Sequence, residues 1–194
     1  MKEKIKKSLQ EARETLEYFI AEDQNIIVIE KIARQIAETF EKGNKVLICG
    51  NGGSLADATH FAEEFTGKFR DERKPLPVIA LNDAAHITCT ANDFGFEHIF
   101  ERSVEAFGKP NDVLIVLSTS GNSKNILLAV QKAKKIGMRT VALLGKNGGK
   151  TAGKCELELI VNGQFSDRIQ EIHMMTLHII IEIVERLLFP ENYQ

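Results

Sequence analysis

Apolar residues recur at spacings of three and four along the first forty positions, at Ile5, Leu9, Ala12, Leu16 and Phe19 and again at Ile26, Ile29, Ala33, Ile36 and Phe40. That period gathers each set on one side of a helix, so two amphipathic helices are predicted, the second capped by Asp23 or Asn25. The pattern then changes. Lys45-Val46-Leu47-Ile48-Cys49 is apolar without alternation and runs straight into Gly50-Asn51-Gly52-Gly53-Ser54, the signature of a strand buried on both faces that feeds a glycine-rich turn. The same arrangement returns at Asp112 to Leu117, followed by Ser118-Thr119-Ser120-Gly121-Asn122-Ser123 and a helical stretch from about Lys124 to Ile136. Apolar runs at Pro77 to Leu81, Thr140 to Leu144 and Leu157 to Val161 bring the candidate strands to five. Strands alternating with helices predict a parallel sheet covered on both faces, with ligands beyond the carboxyl ends of the strands.

No linker interrupts this pattern. One domain over 1–194 is expected, with N-terminal helices over 1–42 and an α/β core over 43–194. The last helix, from about Ser166 to Phe189, is apolar around nearly its whole circumference. Such a helix must be covered all round. The sheet covers one side, so the N-terminal helices or a second copy must cover the rest, and at least a dimer is expected.

Composition narrows the class. The 194 residues suffice for one sizeable core, and 43% apolar with 27% charged residues is ordinary for a soluble globular chain. A net charge of −2 provides no basic footprint for nucleic acid. The cysteines, Cys49, Cys89 and Cys155, are scattered and odd in number, which reads as buried thiols in a reducing compartment. The basic start at Met1 to Lys7 enters a charged helical pattern rather than an apolar leader, and Ile179 to Phe189 is short and broken by Glu182, Glu185 and Arg186. Neither secretion nor membrane insertion is expected, and the cytoplasm is the expected compartment.

Two loops could hold an anion. Ser118 to Ser123 places four hydroxyls and a glycine where a strand meets a helix N-terminus, whose free N–H groups and dipole favour negative charge. A serine-capped helix behind a plain turn has the same residues. Gly50 to Ser54 is a second junction, with Ser54 able to cap and Asn51 free to reach a sugar hydroxyl. It matches no dinucleotide or Walker pattern.

Candidate chemistry lies beyond these loops. His60 and Glu64 are four apart, so they share a helix face. They suit a divalent metal, a base with an orienting partner, or an ordinary surface pair. The final helix adds Asp167, Gln170, Glu171, His173 and His178 to an apolar segment, and spacing does not choose between the two histidines. His86 and His98 have no partner visible in the sequence. Asn92 and Asp93, in a loop over Ala91 to Gly95, could face a polyol or form an Asx turn.

Taken together, Cys49 to Ser54, His60 to Gly67, Asn92-Asp93-Phe94-Gly95-Phe96, Ser118 to Ser123 and Asp167 to His173 make the chain resemble, from end to end, the phosphoheptose isomerases of the sugar-isomerase (SIS) domain superfamily. The resemblance implies a three-layer α/β sandwich with a five-stranded parallel sheet of flavodoxin-like kind plus the N-terminal helical pair. It implies a homotetramer with active sites between subunits. It implies conversion of D-sedoheptulose 7-phosphate to D-glycero-D-manno-heptose 7-phosphate, the first step toward ADP-heptose for bacterial surface polysaccharide. One zinc ion per subunit is implied on His60, Glu64, Gln170 and His178. Substrate contacts are implied for Asn51, Gly52, Gly53, Glu64, Asn92, Asp93, Ser118, Thr119, Ser120, Ser123, Asp167 and Gln170.

On this reading Glu64 moves a proton between C1 and C2 and His178 moves protons between O1 and O2. Glu64 and His178 are expected to meet through assembly. The rival reading is a SIS-domain scaffold that binds the replication initiator protein, for which the set His60, Glu64, Gln170 and His178 has no use. A sugar-phosphate-sensing regulator would want a helix-turn-helix domain, and an arabinose 5-phosphate isomerase extra C-terminal domains, for which the chain has no room.

Overall fold

The computed structural model describes residues 1–193. Among them, five strands form one parallel sheet: β1 (Val46–Gly50), β2 (Val78–Ala80), β3 (Val113–Ser118), β4 (Arg139–Gly145) and β5 (Leu157–Val161). Their order, β2-β1-β3-β4-β5, is that of a flavodoxin-like doubly wound sheet. The uninterrupted apolar runs are explained by burial on both faces: every residue of β1 and β3 is buried.

Alternate strand residues feed two separate cores. Val46, Ile48, Val113, Ile115, Leu117, Val141 and Leu143 pack against α2 (Asp23–Glu41), α3 (Gly53–Thr66) and α7 (Ser166–Leu188). Leu47, Cys49, Leu114, Val116, Ala142 and Leu144 pack against α5 (Ile99–Phe107) and α6 (Lys124–Ile136), with α4 (Ala84–Phe94) at their edge. Three layers result, with α1 (Lys2–Ala21) outermost on the first side.

Several expectations are corrected. Glu22 alone separates α1 from α2, and neither Asp23 nor Asn25 caps the second helix. The Asn25 amide instead donates to the Phe19 carbonyl at 2.8 Å, tying the hairpin's two arms. Ser54 lies inside α3, whose N-cap is Gly52 at φ 57. Asn92 and Asp93 belong to the last turn of α4 rather than to a loop, because Gly95, at φ 99, ends the helix. Cys49 is buried as expected, but Cys89 is exposed and Cys155 half-buried.

The final helix is covered mostly from within the chain. Ile169, Ile172, Leu177, Ile180, Ile181 and Val184 join a core that includes Ile29, Ile32 and Ile36 of α2 and Phe61 and Phe65 of α3. Ile179 and Leu187 of this helix stay exposed, as do Ile5, Leu9, Ile20, Ile26 and Ile27 of the N-terminal hairpin. Among the described residues, no helix is long and apolar enough to cross a membrane.

Candidate active site

The strand order changes direction between β1 and β3, which are paired neighbours, so the loops after them open side by side. This is the crevice where open α/β sheets bind ligands. Asn51 and Asn125 stitch the loops together by exchanging side-chain amide hydrogen bonds at 3.0 and 2.9 Å.

The serine loop is preorganised. Ser118 Oγ accepts from the Gly121 N–H at 3.0 Å, Ser120 Oγ from the Asn122 N–H at 3.2 Å, and Thr119 Oγ1 donates to Ser166 Oγ at 3.1 Å. Ser123 is the N-cap of α6, yet its hydroxyl makes no capping bond. A third loop, after β4, buttresses this one. Thr151 donates from both its N–H (3.0 Å) and its hydroxyl (2.7 Å) to the Gly121 carbonyl, and the Lys150 N–H donates to Asn122 Oδ1 at 3.1 Å. The run Gly145-Lys146-Asn147-Gly148-Gly149 signals this loop in the sequence, but its poverty in hydroxyls hides its role.

Along α3, Phe61 and Phe65 are fully buried and meet edge to face, with centroids 4.9 Å apart. Burial of two such rings, worth about 1.5–3 kcal/mol each, fixes which face α3 turns to the core and leaves His60 and Glu64 on another. His60 Nε2 is 3.2 Å from Glu64 Oε1. From α7, His178 arrives with its ring 5.0 Å from that of His60 and stacked on Phe69 at 5.8 Å. One ligand atom from each of His60, Glu64 and His178 lies within 4.8 Å of the others.

Assembly is therefore not needed to bring Glu64 and His178 together, which corrects the expectation that they meet between subunits. The two helices pack directly, through Phe61, Leu177 and Ile181 in one core. Two imidazoles and a carboxylate, half-buried and converging, form a donor set that suits Zn²⁺. Burial, reinforced by His60, lowers the His178 pKa, with Glu64 opposing. That direction favours the neutral imidazole that a metal ligand requires.

His173 is separated from this chemistry. It is wholly buried, and its Nε2 bonds the Leu144 carbonyl at 3.0 Å. Asp57 lies one turn before His60 and carries no signal in the spacing. Its Oδ2 is buried without a partner, and burial raises its pKa, with His60 opposing. Gln170 sits at the start of α3, its amide 3.5 Å from Ser54 Oγ and against Gly53. Asn92 donates to Asp93 at 2.8 Å, and Asp167 pairs with Arg168 at 3.1 Å. These three acidic and amide groups are exposed, with hydrogen bonds to neighbours on their own helices. His86 and His98, without visible partners in the sequence, bond Ile99 O (2.9 Å) and Glu101 (2.8 Å).

Comparison with known proteins agrees with this geometry. The SIS domain family model matches residues 8–145. The chain is 59% identical to a phosphoheptose isomerase of Fusobacterium nucleatum over 93% of both chains, and 51% identical to one of Vibrio cholerae over 94% of this chain and 96% of the other. The solved phosphoheptose isomerase of Neisseria gonorrhoeae superposes with a TM-score of 0.88 at 34% identity, covering 95% of this chain and 98% of that one. The chain belongs to the phosphoheptose isomerase family of SIS-domain proteins and is a sugar-phosphate isomerase.

Proposed function

We propose that this isomerase converts D-sedoheptulose 7-phosphate to D-glycero-D-manno-heptose 7-phosphate, in the cytoplasm, as the first step toward ADP-heptose for surface polysaccharide. The observation that carries the reading is the convergence of His60, Glu64 and His178 on one face between α3 and α7. It is joined by two anion-competent loops at the ends of adjacent strands.

The Glu64 carboxylate takes a proton from C1 of the ketose, which leaves an enediolate with its charge on O2. His178 then takes the proton from O1 and delivers it to O2, and Glu64 returns its proton to C2, so that C1 becomes the aldehyde and no atom is gained or lost. His60, Glu64 and His178, joined by Gln170 of a neighbouring copy because this chain's own Gln170 lies at the start of α3, would hold one Zn²⁺, which supplies Lewis-acid polarisation of the carbonyl. Ser118, Thr119, Ser120 and Ser123 bind the phosphate. Asn51, Gly52, Gly53, Asn92, Asp93, Asp167 and Gln170 line the polyol, so that remote binding energy positions the reacting carbons.

From Ser54 to Glu64, α3 rises about 15 Å, a long span for one seven-carbon chain. That distance supports a site completed between copies, in a homotetramer assembled through the helices of 1–42, whose exposed Ile5, Leu9, Ile20, Ile26 and Ile27 await cover. A coupled assay with sedoheptulose 7-phosphate tests the function. Turnover is expected that chelator abolishes and Zn²⁺ restores, and folded protein without turnover would overturn the reading.

A further inference from the structure

The helix that carries Glu64 ends in an arrangement the chemistry above does not use. The last carbonyls of a helix have no partner within it. At the end of α3, two of them and the carbonyl of the capping Gly67 are collected by one side chain. Arg73 Nη2 donates to Glu64 O at 2.7 Å, and Nη1 donates to Phe65 O at 2.8 Å, with longer contacts to Gly67 O (3.2 Å) and Lys74 O (3.3 Å). Its remaining edge faces α7, where Nε donates to Glu185 Oε1 at 2.7 Å. Both side chains are out of solvent, at 1% and 2% exposure. The second Glu185 oxygen accepts from the Tyr193 hydroxyl at 2.7 Å, so the carboxylate has a donor on each side.

Glu185 lies seven residues beyond His178, two turns along α7 and on the same face. The intervening turn is held by the same segment: Phe69 stacks on His178, and Arg70 pairs with Glu182 at 2.8 Å. One buried guanidinium therefore grips the backbone of Glu64 and is anchored to the helix that presents His178. A planar fork with fixed donors can satisfy carbonyls and a carboxylate at once, which a lysine ammonium cannot do in the same directions. A buried ion pair gains little net stability after desolvation, so geometry is what it most plainly supplies. The cation also suits the negative end of the α3 dipole.

We propose that Arg73 is a positioning residue for the isomerisation: through Glu185 it fixes the spacing of α3 and α7 and so the placement of Glu64 against His178. This rests on the roles given above to Glu64 and His178.

The test uses the full-length enzyme with three variants, Arg73→Lys, Glu185→Gln and, as reference, Glu64→Gln. Circular dichroism and oligomeric state establish folding, and kinetics are measured well below the unfolding transition. Arg73→Lys is expected to lower kcat by about tenfold or more, because small misplacements of reacting groups are costly, while KM for the sugar phosphate moves less than about threefold, since Arg73 touches neither loop. Zn²⁺ affinity, read by competition with a chromogenic chelator, should weaken by about tenfold, the lower end of what outer-shell changes cost. Glu185→Gln should show the same split to a smaller degree, and it decides the matter should Arg73→Lys fail to fold.

Parental kcat and Zn²⁺ affinity in the folded variants, with Glu64→Gln inactive, would overturn the positioning role alone. An active Glu64→Gln would instead overturn the catalytic reading beneath it. A kcat loss accounted for by the fraction unfolded would also overturn the proposal.

Discussion

The ring of His178 stands edge-on to that of His60, with centroids 5.0 Å apart and planes at 77°. One ligand atom from each ring lies within 4.8 Å of the other and of a Glu64 carboxylate oxygen, and Glu64 Oε1 is 3.2 Å from His60 Nε2. Removing a metal-competent imidazole while leaving the carboxylate should separate binding from folding. His60→Ala is expected to weaken Zn²⁺ binding by about a hundredfold or more, since even outer-shell changes cost about 10–100-fold. The half-exposed His60 should cost little stability. Competition titration checks this, and parental affinity in the variant would remove His60 from the metal set.

Glu64→Gln changes one atom's ability to accept a proton and little of the shape. If Glu64 carries the proton between C1 and C2, kcat should fall by about 10²–10⁴-fold, the range that general base catalysis contributes. In D₂O the remaining substrate should show no deuterium incorporation at C1. Single-turnover kinetics with mass analysis of recovered substrate reads both, and a variant at full rate would remove the base role.

The serine loop should be sensitive at a residue that touches no ligand. Gly121 has φ +62, and a Cβ there would fall 1.9 Å from the Gly148 carbonyl oxygen. Gly121→Ala therefore combines a left-handed strain of about 1–3 kcal/mol with a backbone clash that must push the loops after β3 and β4 apart. The expected result is a raised KM for the sugar phosphate and a weaker inhibition constant for inorganic phosphate, each by about tenfold, with kcat less affected. Unchanged KM in a folded variant would separate this loop from the phosphate.

How much of this was legible in the chain differs by element. The runs at Val46–Gly50 and Val113–Ser118 announce themselves because a strand buried on both faces shows no alternation. The hairpin of α1 and α2 announces itself through its three-and-four spacing. Spacing paired His60 with Glu64 but could not choose between His173 and His178, since that choice depends on which side of α7 meets α3 and which meets Leu144. Arg73 had no signal either. Its guanidinium donates to backbone carbonyls, which every residue has, and to a glutamate far along the chain. Asn92 and Asp93 read as a loop because both favour turns, yet the helix runs on to Phe94 before Gly95 ends it.

His173 gives the last prediction, in pH rather than activity. It is wholly buried, with Nε2 on the Leu144 carbonyl and Nδ1 without a partner. Burial lowers its pKa from the usual 6.5 to about 4, with the bond to Leu144 opposing. Between those values the unfolded chain binds a proton that the folded chain refuses, so stability falls as pH drops from about 6.5 toward 4 and is fully present above that window. At 1.36 kcal/mol per pKa unit, the loss between pH 7 and pH 4.5 attributable to this side chain is about 2–3 kcal/mol. His173→Gln keeps an amide donor for Leu144 but cannot titrate. It should cost about 1 kcal/mol at pH 7 and lose about 2–3 kcal/mol less than the parent on acidification. Urea unfolding at the two pH values measures both quantities, and equal acid losses in parent and variant would show that His173 is not the group responsible.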